Sequence, residues 1–254
     1  MILKSFCKKV ALLLITALLS TWMTSGAFAQ GSNADIKKFL LKVQQAYKQA
    51  PYLSFRVKYQ YANVGGNAMD SLSGEMQMDK GRCRMVLDGT ETVSTERYVI
   101  QVMPEDKAIY LSGARSSSII DPVQILDSMF LHMKEIHGAV VDEGTLKVLT
   151  LEFPPGNLYT RIRMAIDAGT GYFQHITYKL HTESLVGRDM VDQPGHSAPY
   201  QSEGEVSMVF SGYEKGRFND ALFEESNFFT RVAGRFEPSG RYRDYHIFLA
   251  SSNL

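Results

Sequence analysis

The chain has 254 residues, of which 44% are hydrophobic and 21% are charged. Lys and Arg together number 27, as do Asp and Glu, so the formal net charge is zero. This composition is typical of a globular protein with one sizeable core. Without a basic excess the chain lacks the electrostatic signature of nucleic-acid-binding or anionic-membrane-binding proteins, and we expect no nucleic-acid partner.

Residues 1–29 have the features of a secretory signal peptide. Lys4, Lys8 and Lys9 precede an apolar run over 10–19, and Ala27-Phe28-Ala29 supplies small residues for a signal peptidase. The run is about half the roughly 20 residues that a membrane-spanning helix needs. We therefore expect export to the periplasm with cleavage after Ala29.

Cleavage would remove Cys7 and leave Cys83 as the one cysteine of the mature chain. No intramolecular disulfide can then form, although the compartment permits one. No cysteine follows the cleavage site on which a lipid anchor could be built. We expect Cys83 to be a small buried hydrophobic side chain.

The mature chain begins with a predicted helix. Ser32 or Asn33 can cap it, Pro51 follows it, and apolar residues recur at helical spacing at Ile36, Phe39, Leu40, Val43 and Tyr47.

A series of predicted strands follows, because the apolar residues then alternate with polar ones. Turns are expected at Gly65-Gly66-Asn67, Asp88-Gly89 and Pro104-Glu105-Asp106. The apolar positions of these strands are Phe55, Val57, Tyr59, Tyr61, Met76, Met78, Tyr98, Ile100 and Val102.

A second predicted helix interrupts the strands from about Pro122 to His137. Asp121-Pro122 is a typical helix start, and Gly138 is a typical helix end. Its apolar stripe is formed by Val123, Leu126, Phe130 and Met133.

Strands are predicted again after this helix, with a long polar loop at about 185–203 and a last strand between Arg241 and Leu249. The apolar positions include Leu149, Leu151, Phe153, Ile162, Met164, Ile166, Val206, Met208 and Phe210.

The predicted fold class is mainly β with flanking α. Two helices cannot cover both faces of a large antiparallel sheet, so we expect a curved sheet that forms an incomplete β-barrel, with an N-terminal helix and an inserted lid helix.

The order of helix, strands, helix and strands resembles the LolA-like family of periplasmic lipoprotein carriers and outer-membrane lipoprotein-sorting proteins. The run TERYVIQVMPEDKAIYLS resembles the central strand pair of that family, and FPPGNLYTRIRMAIDAGTGYFQHITYKL resembles its later hairpin. EKGRFNDALFEESNFF resembles its closing segment. The match covers about residues 34–230. We thus divide the chain into a signal peptide (1–29), a LolA-like half-barrel (30–230) and a C-terminal extension (231–254) with an added strand.

The resemblance implies a carrier whose hydrophobic cavity receives the acyl chains of a lipid or lipoprotein. It also implies a donor at the inner membrane and an acceptor at the outer membrane; we expect the carrier itself to be a monomer. The expected cavity-lining residues are the apolar positions Phe55, Val57, Tyr59, Met76, Met78, Ile100, Val102, Val123, Leu126, Phe130, Met133, Ile162, Met164, Met208 and Phe210. Flexible methionines among them suit an exchangeable apolar guest, although they equally fill gaps in a core.

Enzymatic and metal-binding functions have little support in the sequence. The six histidines are poorly spaced for one ion: His175 and His181 would lie roughly 20 Å apart along one strand. No nucleophile elbow, zincin helix, phosphate loop or zinc-type cysteine pattern occurs. We expect a non-enzymatic protein with no cofactor and no metal. The alternative to a carrier is a structural or interaction module of a cell-envelope assembly with a filled barrel interior.

Overall fold

The computed structural model describes residues 33–114, 137–192 and 198–251, and the structural statements below concern these residues. They form one α-helix, α1 (Asn33–Lys48), and a set of strands joined by turns and short 3-10 helices. The strands are β1 (Tyr52–Asn63), β2 (Ala68–Asp79), β3 (Arg82–Leu87), β4 (Thr90–Ser94), β5 (Tyr98–Met103), β6 (Ala108–Gly113), β7 (His137–Glu143), β8 (Leu146–Glu152), β9 (Tyr159–Asp167), β10 (Phe173–His181), β11 (Glu203–Lys215), β12 (Phe229–Val232), β13 (Arg235–Pro238) and β14 (His246–Leu249).

Twelve of these strands form one sheet in the order β14-β6-β5-β4-β3-β2-β1-β11-β10-β9-β8-β7. Strands β12 and β13 form a separate antiparallel hairpin. The sheet has two ends, β14 and β7, and is not closed into a barrel. The predicted fold class, a mainly antiparallel β protein with an open sheet and an N-terminal helix, is confirmed.

Local sequence explains most of these elements. The five apolar positions predicted for the first helix are all buried, so α1 has one continuous apolar face. In β1, Leu53, Phe55 and Val57 are buried while Arg56 and Lys58 are exposed, as expected for a half-buried strand. Asp88 and Gly89 both have positive φ at the β3–β4 turn, which favours a tight hairpin.

Contacts divide the chain into two compact units. Within the described residues, unit 1 contains 33–48, 57–72, 137–192 and 198–211, and unit 2 contains 49–56, 73–114 and 212–251.

In unit 1, α1 packs on one face of the sheet, which we call the helix face. A Cβ added to Gly138 of β7 would stand 2.9 Å from Cδ1 of Ile36 and 2.7 Å from Cδ2 of Leu151. A side chain at this position would push the helix away from the strands. The prediction that Gly138 ends a helix is therefore wrong, because this residue is a point of close approach within β7.

In unit 2, the C-terminal segment packs on β4, β5 and β6. The buried cluster combines strand residues with Phe223, Phe228, Phe229 and Tyr242. Strand β14 pairs with β6 in parallel, through partners such as His246 with Ala108. The predicted last strand is thus shorter than expected, since a 3-10 turn (Gly240–Tyr242) precedes it, and its pairing departs from the antiparallel pattern.

No helix in the described ranges is long and apolar enough to cross a membrane. The expected signal peptide and the expected lid helix with Val123, Leu126, Phe130 and Met133 lie outside the described residues.

Candidate functional site

Most of the expected lining residues that the structure describes are buried, but they do not share one face. Phe55, Val57, Met76, Met78, Ile100, Val102, Ile162, Met164 and Phe210 are buried, and Tyr59 and Met208 are half-buried. Burial alone therefore does not identify a common lining, whereas the strand registers show which residues share a face.

The registers separate two methionines from Ile100 in unit 2. Met76 is opposite Met85, Met85 is opposite Thr92, and Thr92 is opposite Gln101. Because directly paired residues lie on the same face, Met76 shares a face with Gln101 and not with Ile100. In the same way, Met78 lies on the face of Met76, and Val102 lies on the face of Ile100.

Ile100 and Val102 belong to the cluster that the C-terminal segment covers. Ile100 and Val102 thus lie on the opposite face from Met76 and Met78, and the expected cavity lining stays a prediction. Each strand alternates as predicted, and the apolar face of β5 packs against the C-terminal aromatic residues.

In unit 1, two rows of cross-strand partners define the helix face. One row reads Gly138, Leu151, Ile162, Tyr178 and Val206, and the other reads Val140, Leu149, Met164, Ile176 and Met208. The predicted residues Ile162, Met164 and Met208 are thus brought together on the face that carries α1. Phe210 joins them, since its ring lies 5.7 Å from that of Phe173, which also contacts Tyr47 of α1.

Three tyrosines gather around the first row, and we call Tyr59, Tyr159 and Tyr178 the tyrosine cluster. The rings of Tyr159 and Tyr178 have centroids 5.4 Å apart. Burial raises the pKa of the Tyr178 hydroxyl, and the neighbouring Tyr159 and Tyr59 hydroxyls raise it further. Burial also raises the pKa of Tyr159. Both groups are therefore neutral hydrogen-bond donors at any physiological pH.

The side chains of Tyr159 and Tyr178 are half-buried: the surrounding protein raises the pKa of each hydroxyl, but neither side chain is fully enclosed. Within the described residues, neither hydroxyl takes part in a hydrogen bond. In the described part of the chain, every side-chain oxygen that is sealed from solvent has a hydrogen-bond partner. Because the hydroxyls of Tyr159 and Tyr178 have none there, both oxygens keep accessible area.

Tyr61 provides a contrast on β1, the strand that also carries Tyr59. Its hydroxyl lies 3.0 Å from Oγ1 of Thr182, which is fully buried. Its ring covers Gly204, where an added Cβ would come within 2.5 Å of the ring. Tyr61 is therefore a packed structural residue, whereas the hydroxyls of Tyr159 and Tyr178 have no such role.

Charged side chains of the same strands project from the opposite face. Arg161, Arg163 and Lys179 alternate with the helix-face residues, and each pairs with a carboxylate: Glu152, Glu143 and Glu203 respectively. The helix face beside Tyr178 is formed by Ile162 and Val206, which are uncharged.

The opposite face also carries a histidine–serine pair. Nε2 of His175 lies 2.7 Å from Oγ of Ser207, and burial and Arg163 lower the pKa of His175. Two hydrogen-bonded side chains on a sheet do not make a catalytic constellation, which also needs a group to orient the base and donors for the reacting oxygen. In the described ranges, no three His, Cys, Asp or Glu side chains are placed to hold a metal ion.

Tyr59 is among the lining residues expected from the sequence, whereas Tyr159 and Tyr178 are not. The alternation of Ile176, Tyr178 and Leu180 was a usable signal for Tyr178. Tyr159 had no such signal, because a register irregularity between Lys179 and Leu180 decides which face it joins.

Comparison with known proteins finds no matching family model and no matching curated protein. Solved structures do match. A conserved protein from Thermus thermophilus has 10% identity and a TM-score of 0.48, covering 85% of this chain and 99% of that one. A LolA superfamily protein from Nitrosomonas europaea has 10% identity and a TM-score of 0.36, over 74% and 97% of the two chains.

An outer membrane lipoprotein-sorting protein domain from Vibrio parahaemolyticus has 8% identity and a TM-score of 0.31, covering 73% of this chain and 96% of that one. At such identities and TM-scores the likeness does not assign a function. The neighbours include the LolA superfamily and the lipoprotein-sorting proteins that the order of elements in this sequence resembles.

Proposed function

We propose that this chain is an exported, non-enzymatic carrier that binds the acyl chains of a lipid or lipoprotein on the helix face of unit 1. The observation that supports this most directly is the condition of Tyr159 and Tyr178. Their side chains are half-buried beside apolar neighbours, and their hydroxyls form no hydrogen bond within the described residues. Partly buried polar groups among apolar side chains are typical of ligand sites.

The composition of this face fits an acyl chain. Its two rows are aliphatic except for Tyr178 and Gly138, with methionines at Met164 and Met208. Each methylene removed from water contributes about 0.8 kcal/mol, so a single long chain supplies enough free energy for binding. Flexible thioether side chains can adapt to chains of different length.

The remaining features of the proposal come from the sequence. The signal peptide (1–29) would direct the chain to the periplasm, and residues 30–230 would form the carrier domain, followed by the extension (231–254). A monomer would receive cargo from an inner-membrane donor and release it to an outer-membrane acceptor. The lid helix would end before His137, because that residue already belongs to β7.

The alternative, a structural module of a cell-envelope assembly with a filled interior, needs tight packing around the tyrosine cluster. We propose to distinguish the two with Met208→Trp. Met208 is half-buried on the helix face and is directly opposite Ile176. In a carrier, the larger ring occupies the space that the ligand needs, so bound lipid is lost while the melting temperature changes little. In a filled interior, overpacking destabilises the fold by about 1–3 kcal/mol.

The measurement is native mass spectrometry, with lipid extraction, of protein expressed with its signal peptide and purified without detergent. The matched control is Val209→Trp, because Val209 lies on the same strand but is 40% exposed on the other face. This control should keep both lipid and stability. Wild-type protein that carries no lipid and binds no fluorescent fatty-acyl probe would rule out the carrier function.

A further inference from the structure

We propose that Tyr159 and Tyr178 form a polar subsite within the apolar face, and that it selects an uncharged hydrogen-bond acceptor, the ester or amide carbonyl of an acylated lipid, over a free carboxylate. This inference rests on the proposed carrier function and names its ligand class more closely.

The two hydroxyls of this subsite need hydrogen-bond partners. Water can reach these hydroxyls while they keep accessible area, but a ligand that covers them displaces that water, and a hydroxyl then left without a hydrogen bond costs free energy. Tyr159 and Tyr178 present two such hydroxyls from rings 5.4 Å apart, on the same face of β9 and β10. Two neighbouring donors that lack partners within the described chain are suited to a ligand that brings acceptor atoms.

The surroundings of the hydroxyls favour an uncharged ligand. An anion in this position would need a compensating cation, since an unpaired charge is costly to desolvate. Arg161, Arg163 and Lys179 project from the other face and already pair with carboxylates. The cross-strand neighbours of Tyr178 on the helix face are Ile162 and Val206. A carbonyl oxygen meets the two donors without this cost.

The position of the subsite suits the polar end of an acyl group. Tyr178 and the half-buried Met208 lie in the two rows of the helix face, so a hydrocarbon chain beside Met208 can place a carbonyl at its head beside the hydroxyls. Such a subsite fixes where the polar end of the acyl group sits. The binding site then distinguishes an esterified lipid from a plain hydrocarbon of the same length.

The test compares Tyr159→Phe, Tyr178→Phe and the double variant with wild type. Each change removes one hydroxyl and keeps the ring. Binding is measured by displacement of the neutral probe N-phenyl-1-naphthylamine with methyl laurate, tridecane and laurate at pH 8.5. We expect wild type to bind methyl laurate about three- to ten-fold more tightly than tridecane. Either single variant should lose most of that preference while its affinity for tridecane stays unchanged.

The control is Tyr110→Phe, because Tyr110 lies on β6 of unit 2 with its ring stacked on Phe248. It should behave as wild type with all three ligands. The inference is overturned if wild type binds methyl laurate and tridecane equally, if laurate binds more tightly than methyl laurate, or if the variants lose affinity for tridecane as well. If neither the probe nor tridecane binds to wild type, the carrier function itself fails. Tridecane binding without an ester preference contradicts only the subsite.

Discussion

At the scale of single residues, the two kinds of tyrosine on the helix side of unit 1 differ in hydrogen bonding. Tyr61 is 0% exposed, and its hydroxyl lies 3.0 Å from that of the equally buried Thr182. Tyr159 and Tyr178 have no such partner in the described chain. The same residue type therefore supports the fold in one place and remains available to a ligand in another.

Thr182→Val should destabilise the protein by about 1–3 kcal/mol, because it keeps the shape of the side chain but leaves the Tyr61 hydroxyl with only its long 3.5 Å hydrogen bond to Oδ1 of Asn63. Urea unfolding measures the change. In the Thr182→Val, Tyr61→Phe double variant the Tyr61 hydroxyl is also gone, so this variant should lose less stability than the two single losses added together. Strict additivity would show that the hydroxyls do not interact.

At the scale of elements, the C-terminal segment is part of the core of unit 2. Phe228 and Tyr242 stack with centroids 6.0 Å apart, inside the cluster that contains Ile100 and Val102. Glu91 of β4 holds the same segment through Arg241 at 3.1 Å and also pairs with Arg84 at 2.6 Å. The division at residue 230 that the sequence predicts would cut through β12 (Phe229–Val232).

Phe228→Ala should cost about 3–5 kcal/mol, because it removes a ring that is 2% exposed from this cluster. Phe248→Ala on β14 is the matched control, since that ring is 48% exposed, and it should cost less than about 1 kcal/mol. Differential scanning calorimetry of both variants makes the comparison. Similar melting temperatures for the two variants would mean that the C-terminal segment is an appendage.

At the scale of the whole molecule, stability should depend on pH through His175. Burial lowers the pKa of His175 in the folded state, and Arg163 lowers it further, against an opposing effect of Glu205. The folded protein therefore binds this proton less readily than the unfolded chain, whose histidine pKa is about 6.5. The resulting stability is fully present above about pH 6.5 and is lost as the pH falls from there through the lower folded-state pKa.

His175→Gln should flatten the fall in melting temperature between about pH 7 and pH 5 while leaving the melting temperature at pH 8 close to that of wild type. The carboxyl groups whose pKa values are lowered, Asp167, Asp220 and Asp244, act only below about pH 4, which keeps the two effects apart. An unchanged slope in His175→Gln would assign the pH dependence to other groups.

Local sequence patterns are sufficient to predict most helices and strands of this protein. Helical spacing from Ile36 to Tyr47 predicts α1, and Asp88-Gly89 predicts the β3–β4 turn. Alternation locates most strands but not β7, where Gly138 resembles a helix end. These features depend on neighbours a few residues apart, and local backbone geometry is therefore sufficient to specify them.

The face of each strand that meets a given partner depends instead on contacts between residues far apart in the chain. Alternation places Met76 and Ile100 each on an apolar side of its strand, but it carries no information about whether those sides coincide. The C-terminal aromatic residues cover the face of β5 that carries Ile100 and Val102, and no local pattern in the sequence predicts that contact. The face that Tyr159 joins likewise depends on an irregularity in the pairing of β9 with β10, between Lys179 and Leu180. Strand pairing and packing between distant residues set these choices, because the free energy of burial depends on the partner as well as on the residue buried.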